Sequence, residues 1–243
     1  MTQSGEGVRG AHGGWLAVAA QLVVMAVLTA MVVLSISPGT AVTGGVLVKV
    51  LSLGRMALLI LVATVLLRLR GLRWRDLGLS KPKPLRFFLA VLLGFGLALV
   101  FIAAAQLALK AGGVHAAPDY SMFTPLRGNL PLYLFFLIPV TWGTAAFGEE
   151  MLFRGFFLDA IRRLLVVEGW PATTLAIVVQ AALFGTLHLY QGLAGAATAG
   201  AIGLAFGFAW WIAGRNLWAA IILHGAFDSM AMTAAYLGLL SHR

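Results

Sequence analysis

No cysteine occurs anywhere in the 243 residues. Disulfides, thiolate nucleophiles, Cys-ligated zinc and iron–sulfur clusters are therefore excluded. Charge is nearly as scarce, at 10% of residues, where a soluble domain carries about 25%. Acid is scarcest, with only Glu6, Asp76, Asp119, Glu149, Glu150, Asp159, Glu168 and Asp228. The sequence also lacks any low-complexity tract, convincing internal repeat or soluble domain. An ordinary cytosolic globule does not fit this composition. Neither does a disordered chain, which needs low hydrophobicity to stay unfolded.

What is present is apolar: 61% of residues are hydrophobic. A helix needs roughly 20 such residues to cross the hydrocarbon core of a bilayer, and seven runs are long enough. They span about Trp15–Ser37, Val46–Leu67, Phe87–Leu109, Pro131–Leu165, Pro171–Leu189, Leu193–Ala213 and Leu217–Leu239. The first follows a polar, Gly-rich tail, residues 1–14. It is too long for a signal-peptide core and lacks a small-residue cleavage site, so it reads as a retained helix. Pro139, Gly143 and Gly148 are kink points in the fourth run, and a split there makes eight spans. The fold expected is all-α, a polytopic transmembrane bundle. Its parts are the tail 1–14, N-terminal helices over 15–130 and a second helical unit over 131–239. Gly195, Gly200, Gly203 and Gly207 in the sixth run predict close helix–helix approach.

The formal charge is +9, which in a soluble chain would raise the question of nucleic acid. Here the bases lie between apolar runs rather than on one soluble face, so no nucleic-acid partner is expected. Seven of the seventeen bases (Arg68, Arg70, Arg73, Arg75, Lys81, Lys83 and Arg86) fall in one loop, 68–86. The positive-inside rule makes that loop cytoplasmic and the N-terminus with it. Alternation puts the next loop, with Lys110 and Arg127, outside. Arg outnumbers Lys by 13 to 4, a bias associated with GC-rich bacterial genomes, so a bacterial plasma membrane is expected.

Charged groups inside a membrane span are costly and usually face a cavity or a partner. Three places break the apolar pattern. In the fourth run, Glu150 and Arg154 stand four apart, on one helix face and in the order that favours an ion pair. Glu149 is rotated roughly 100° from Glu150, which leaves it free to serve as a general base or acid. In the fifth, Phe184 and His188 are again four apart. In the seventh, Asp228 follows His224 by four and can fix one imidazole tautomer or stabilise the charged form. Each alone also reads as structure: an ion-pair cluster, a hydrogen-bonded core histidine, a helix-stabilising pair. Together they bring a base, two imidazoles and a second acid from three helices. His12, His115 and His242 lie in the tail, a loop and the C-terminus.

Glu-Glu-x-x-x-Arg, Phe-x-x-x-His and His-x-x-x-Asp, in that order, resemble the CPBP family of intramembrane proteases, the CAAX proteases and bacteriocin-processing or abortive-infection proteins. The resemblance covers about residues 131–239. It implies a helical membrane endopeptidase with its site within the bilayer and open to the cytoplasm. By position, it makes Glu149 and His188 the activators of the attacking water, and His224 and Asp228 the stabilisers of the oxyanion. Glu150, Arg154 and Phe184 become supporting residues. The family commonly has Asn where this chain has Asp228, and an ionised Asp cannot donate to an oxyanion. The reading preferred here is that Asp228 orients a charged His224, which is then the donor. The His-Glu-x-x-His zinc pattern is absent. No cofactor is required by the sequence, while a divalent metal such as zinc, held through Glu149, His188 and His224, stays open. The expected partners are the lipid bilayer and a membrane-associated peptide or protein substrate, prenylated or of leader type. Three rival functions are a proton-coupled transporter, a haem protein with His188 and His224 as axial ligands, and a non-catalytic membrane binding module.

Overall fold

The computed structural model describes residues 14, 17–24, 26, 45–165 and 169–240. The tail 1–13, Glu168, His242 and most of the first apolar run lie outside these residues; of that run, 17–24 and 26 are helical. Six helices follow. They are α1 (Gly45–Leu69), α2 (Pro84–Ala111), α3 (Leu130–Leu164), α4 (Gly169–Thr186), α5 (Gly192–Ile212) and α6 (Leu217–Tyr236). All six are long and apolar enough to cross a membrane. The chain is an integral membrane helical bundle, as its composition requires, with no strand among the described residues.

Local chemistry sets the helix ends. Pro84 and Pro131 occupy first turns, where a missing N–H costs nothing. The side chains of Asn129 and Asn216 accept from the backbone N–H of Leu132 and Trp218 at 3.2 and 3.1 Å, capping α3 and α6. The split foreseen in the fourth run does not occur, since α3 is one helix of 35 residues. Instead its turns widen: Phe136–Glu149 and Met151–Phe157 are π-helical. Pro139 lies inside the first of these stretches. It has no N–H to give to the ladder, and a change of hydrogen-bond register is one way a helix absorbs that loss without breaking.

The outward faces of α1 and α2 are those a lipid-embedded helix presents. Leu61, Phe88, Leu92 and Val100 are all more than half exposed. The core lies on the other side, where α4, α5 and α6 meet α3. The small residues of α5 allow that packing. A Cβ on Gly185 of α4 would come within 2.8 Å of the Ala196 carbonyl oxygen and 3.1 Å of the Gly200 Cα, so the two backbones nearly touch. Gly200, Gly203 and Gly207 all face α4, whereas Gly195 meets its own neighbour Gln191.

The loops close both ends of the bundle. At one end, the basic loop is stapled to the α5–α6 turn. Leu217 N–H donates to the Gly78 carbonyl at 2.9 Å, and the Asn216 amide donates to the Ser80 carbonyl at 2.8 Å. At the other end, the α2–α3 loop meets the α4–α5 turn through Asp119 N–H and the Gln191 carbonyl at 3.1 Å.

Candidate active site

Helix α3 brings Glu149, Glu150 and Arg154 to the middle of the bundle. Arg154 and Glu150 are fully buried. The Arg154 Nη1 donates to Glu150 Oε1 at 2.8 Å, as their spacing predicts. The same oxygen lies 2.7 Å from His224 Nδ1 on α6. His224 Nε2 in turn faces Asp228 Oδ2 at 3.5 Å. The result is a continuous chain of Arg154, Glu150, His224 and Asp228 across two helices. With a carboxylate at each ring nitrogen, an imidazolium satisfies both contacts of His224.

Arg154 reaches further. Its Nη2 donates to the Gly203 carbonyl of α5 at 3.2 Å, and its guanidinium carbon stands 4.8 Å from the Phe184 ring centroid and 5.6 Å from that of Phe206. Aromatic faces over a buried cation offset part of its lost hydration. Gln180 of α4 donates to the same Gly203 carbonyl at 3.1 Å and is fully buried. This one carbonyl therefore ties α3, α4 and α5 together at the level of the site.

His188 is not on helix α4, contrary to the expectation from its spacing. The helix ends at Thr186, and His188 opens a 3₁₀ turn with φ −99° and ψ 11°. The physical reason is capping. The His188 Nδ1 binds the Phe184 carbonyl at 2.8 Å, and its backbone N–H takes the Gly185 carbonyl at 2.9 Å. Carbonyls left open at the helix end are thereby satisfied. The ring stays beside Phe184, with centroids 4.6 Å apart, and Phe184 stands 6.0 Å from His224. Phe184 thus separates the two imidazoles and sets their distance.

Glu149 is half-buried, and its Oε2 is sealed from solvent with no hydrogen-bond partner among the described residues. The charges that act on it are those of His224, Asp228, Glu150 and Arg154. Two tyrosines that the sequence reading did not single out stand at the rim. Tyr190 lies 5.7 Å from the His188 ring. The Tyr120 hydroxyl, in the α2–α3 loop, is pushed above the ordinary tyrosine range, first by burial and then by the charge of Asp228. Their only sequence signal was an aromatic in each connection flanking the site.

All seven motif residues fall in one stretch of chain, and that stretch has a family. Residues 131–230 match the family model described as Rce1-like, type II CAAX prenyl endopeptidase Rce1-like. Over this segment, under half of its length, the chain is similar to that family. The resemblance to the CPBP family, read from the motifs over about 131–239, is thereby shown over residues 131–230. No curated protein and no solved structure matches the chain.

Within the Rce1-like segment, two of the open readings meet the geometry. Among the described residues, no group of three or more acidic or His side chains is placed to hold a metal ion, so Glu149, His188 and His224 do not form the set weighed for zinc. A haem iron would need a ring nitrogen of His224, and each already faces a carboxylate. What the cluster can do is hold an imidazolium at fixed orientation beside a partly sealed carboxylate.

Proposed function

We propose that the chain is an intramembrane endopeptidase that hydrolyses a peptide bond in a membrane-associated substrate by direct attack of water. The Rce1-like match supports a CAAX-type endopeptidase, and the relay of Arg154, Glu150, His224 and Asp228 carries the finer reading. Glu149 takes the proton of the attacking water, with His188 as the second group on that water. As the tetrahedral intermediate forms, the carbonyl oxygen gains negative charge. His224 donates to it through Nε2, whose contact with Asp228 is long enough at 3.5 Å to be shared. Glu150 and Arg154 hold the His224 ring, and Asp228 favours its charged form. The proton held by Glu149 then passes to the leaving amine, so the catalyst ends as it began.

The substrate we propose is a peptide anchored at the bilayer, with a prenylated C-terminus or a leader segment. The rim residues His188, Tyr190 and Asp228 stand towards the end of the bundle that carries the α2–α3 loop, and we propose that substrate enters there. If the basic loop is cytoplasmic, as its charge predicts, substrate enters from the other side of the membrane, in place of the cytoplasmic opening that the family resemblance implies.

The test is cleavage. The full chain, reconstituted in bilayers, is challenged with membrane-anchored peptides with and without a prenyl group. Hydrolysis that disappears in His188→Ala is the expected result. Turnover unchanged in that variant, or no peptide-bond cleavage across the set, would overturn the reading.

A further inference from the structure

The end of the bundle that carries the basic loop holds a second cluster of charged side chains, which begins at Asp159, ten residues beyond Glu149 on α3. A cavity of about 290 Å³ opens there between α3, the end of α5, the α5–α6 turn and the turn Trp74–Leu77. Arg162, Arg163 and Arg215 line it, together with Asp76, Asp159 and Trp210.

Both carboxylates in the wall are already engaged. Asp159 Oδ2 accepts from Arg70 at 3.1 Å and from Arg163 at 2.8 Å. Asp76 accepts the Arg73 N–H at 2.8 Å and lies 3.7 Å from the Arg75 guanidinium. Arg162 and Arg215 make no ion pair among the described residues. Donors are left over as well. Arg162 Nε and the indole Nε1 of Trp210, on residues that line the cavity, are sealed from solvent without an acceptor, and Trp210 is only 3% exposed; Arg70, which pairs with Asp159 behind the wall, leaves its Nη1 in the same state. Buried donors without partners are rare and costly in native proteins. Two on the wall of one cavity, both of them donors, call for an anion.

The wall also carries a strained backbone position. Arg215 has φ 63°, the one non-glycine residue at positive φ among those described. Its carbonyl presses against Gly78, where no side chain would fit. Backbone strain of this kind persists only where its surroundings hold it, and it concentrates at functional positions. Beside the cavity, the start of α2 packs on Ala213 and Ala219 while Leu85 and Phe88 point outward, 73% and 66% exposed.

We propose that this cavity binds the phosphate of an anionic phospholipid headgroup. Guanidinium groups match phosphate oxygens in paired hydrogen bonds, and the Trp210 N–H is a further donor. The apolar start of α2 gives the acyl chains a surface next to the headgroup. Basic pockets between membrane helices recognise anionic headgroups by this combination. The site is separate from the Glu149 cluster and does not depend on what that cluster does.

The test uses the full chain in neutral detergent, with retained lipid counted by native mass spectrometry. The wild type should keep phosphatidylglycerol about tenfold more tightly than phosphatidylcholine, the scale of one charge-assisted hydrogen bond. Arg162→Gln with Arg215→Gln should erase the preference. Lys81→Gln with Lys83→Gln removes the same charge from exposed positions of the same loop and should leave the preference intact. Trp210→Phe, which removes only the N–H, should weaken it. Inorganic phosphate that displaces the lipid would show that the phosphate group alone is recognised; failure to displace it would show that the lipid is needed. Equal retention of the two lipids by the wild type would overturn the proposal, as would equal loss in the two double variants. If the arginine double variant does not fold, the wild-type preference and Trp210→Phe decide: no preference, or none lost in Trp210→Phe, refutes the site.

Discussion

At Glu150 a single carboxylate oxygen takes the Arg154 guanidinium at 2.8 Å and the His224 imidazole at 2.7 Å. Removing one member of a buried, hydrogen-bonded ion pair leaves an uncompensated charge, which costs about 3–5 kcal/mol. Arg154→Ala should therefore lower the thermal unfolding midpoint in detergent markedly, and activity with it. A variant that melts like the wild type would show that the pair is not holding α3 in place. Asp228→Asn should behave differently. An amide keeps an acceptor near His224 and adds a donor for the oxyanion, so turnover should stay within about tenfold of wild type, the worth of one hydrogen bond. A drop as large as that expected for loss of the base would mean that Asp228 itself handles a proton. The motif residues were legible in the sequence because charge is so rare here that each exception stands out. The bond from Glu150 to His224 was not, because pairs four apart can be read within one helix whereas the register between two helices cannot. Glu150, counted with Arg154 as a supporting residue, turns out to touch the His224 imidazole as well.

Among the helices, the close approach of α4 and α5 was legible in the glycine spacing. Gly185→Ala puts a methyl group against the Ala196 carbonyl and the Gly200 backbone, neither of which can rotate away. Overpacking of this kind costs about 1–3 kcal/mol. Because Gly203 of α5 also receives Arg154 and Gln180, peptide cleavage should fall along with thermal stability. A Gly185→Ala protein that is as stable and as active as wild type would refute this coupling. The end of α4 was not legible. The apolar pattern runs on past Thr186, but Phe184 and Gly185 give their carbonyls to His188 rather than to a further helical turn. Likewise, proline and glycine in α3 signalled a kink, and the chain resolved it by widening its turns. Periodicity reports which residues are apolar and says little about which hydrogen-bond register carries them.

For the whole molecule, the two ends differ in kind. One carries the basic loop and the arginine-lined cavity, and the other carries the rim of the Glu149 cluster. The absence of cysteine makes the chain well suited to thiol labelling from either side of a sealed vesicle. Tyr190→Cys and Lys81→Cys should react with membrane-impermeant reagents from opposite sides; labelling of both from one side would place the rim and the basic loop in the same compartment. The composition made the membrane legible and the motifs made the family resemblance legible. The junction of the α2–α3 loop with the α4–α5 turn was not legible, because the contact of Asp119 with Gln191 joins segments far apart in the sequence. The decisive measurement is turnover of a membrane-anchored peptide by Glu149→Gln in the same bilayer as the wild type. Loss of a general base lowers the rate by about 10²–10⁴-fold, and that loss is predicted here with peptide binding and thermal stability retained. Cleavage by Glu149→Gln at the wild-type rate would contradict Glu149 as the base and leave the chain without a catalyst at this site.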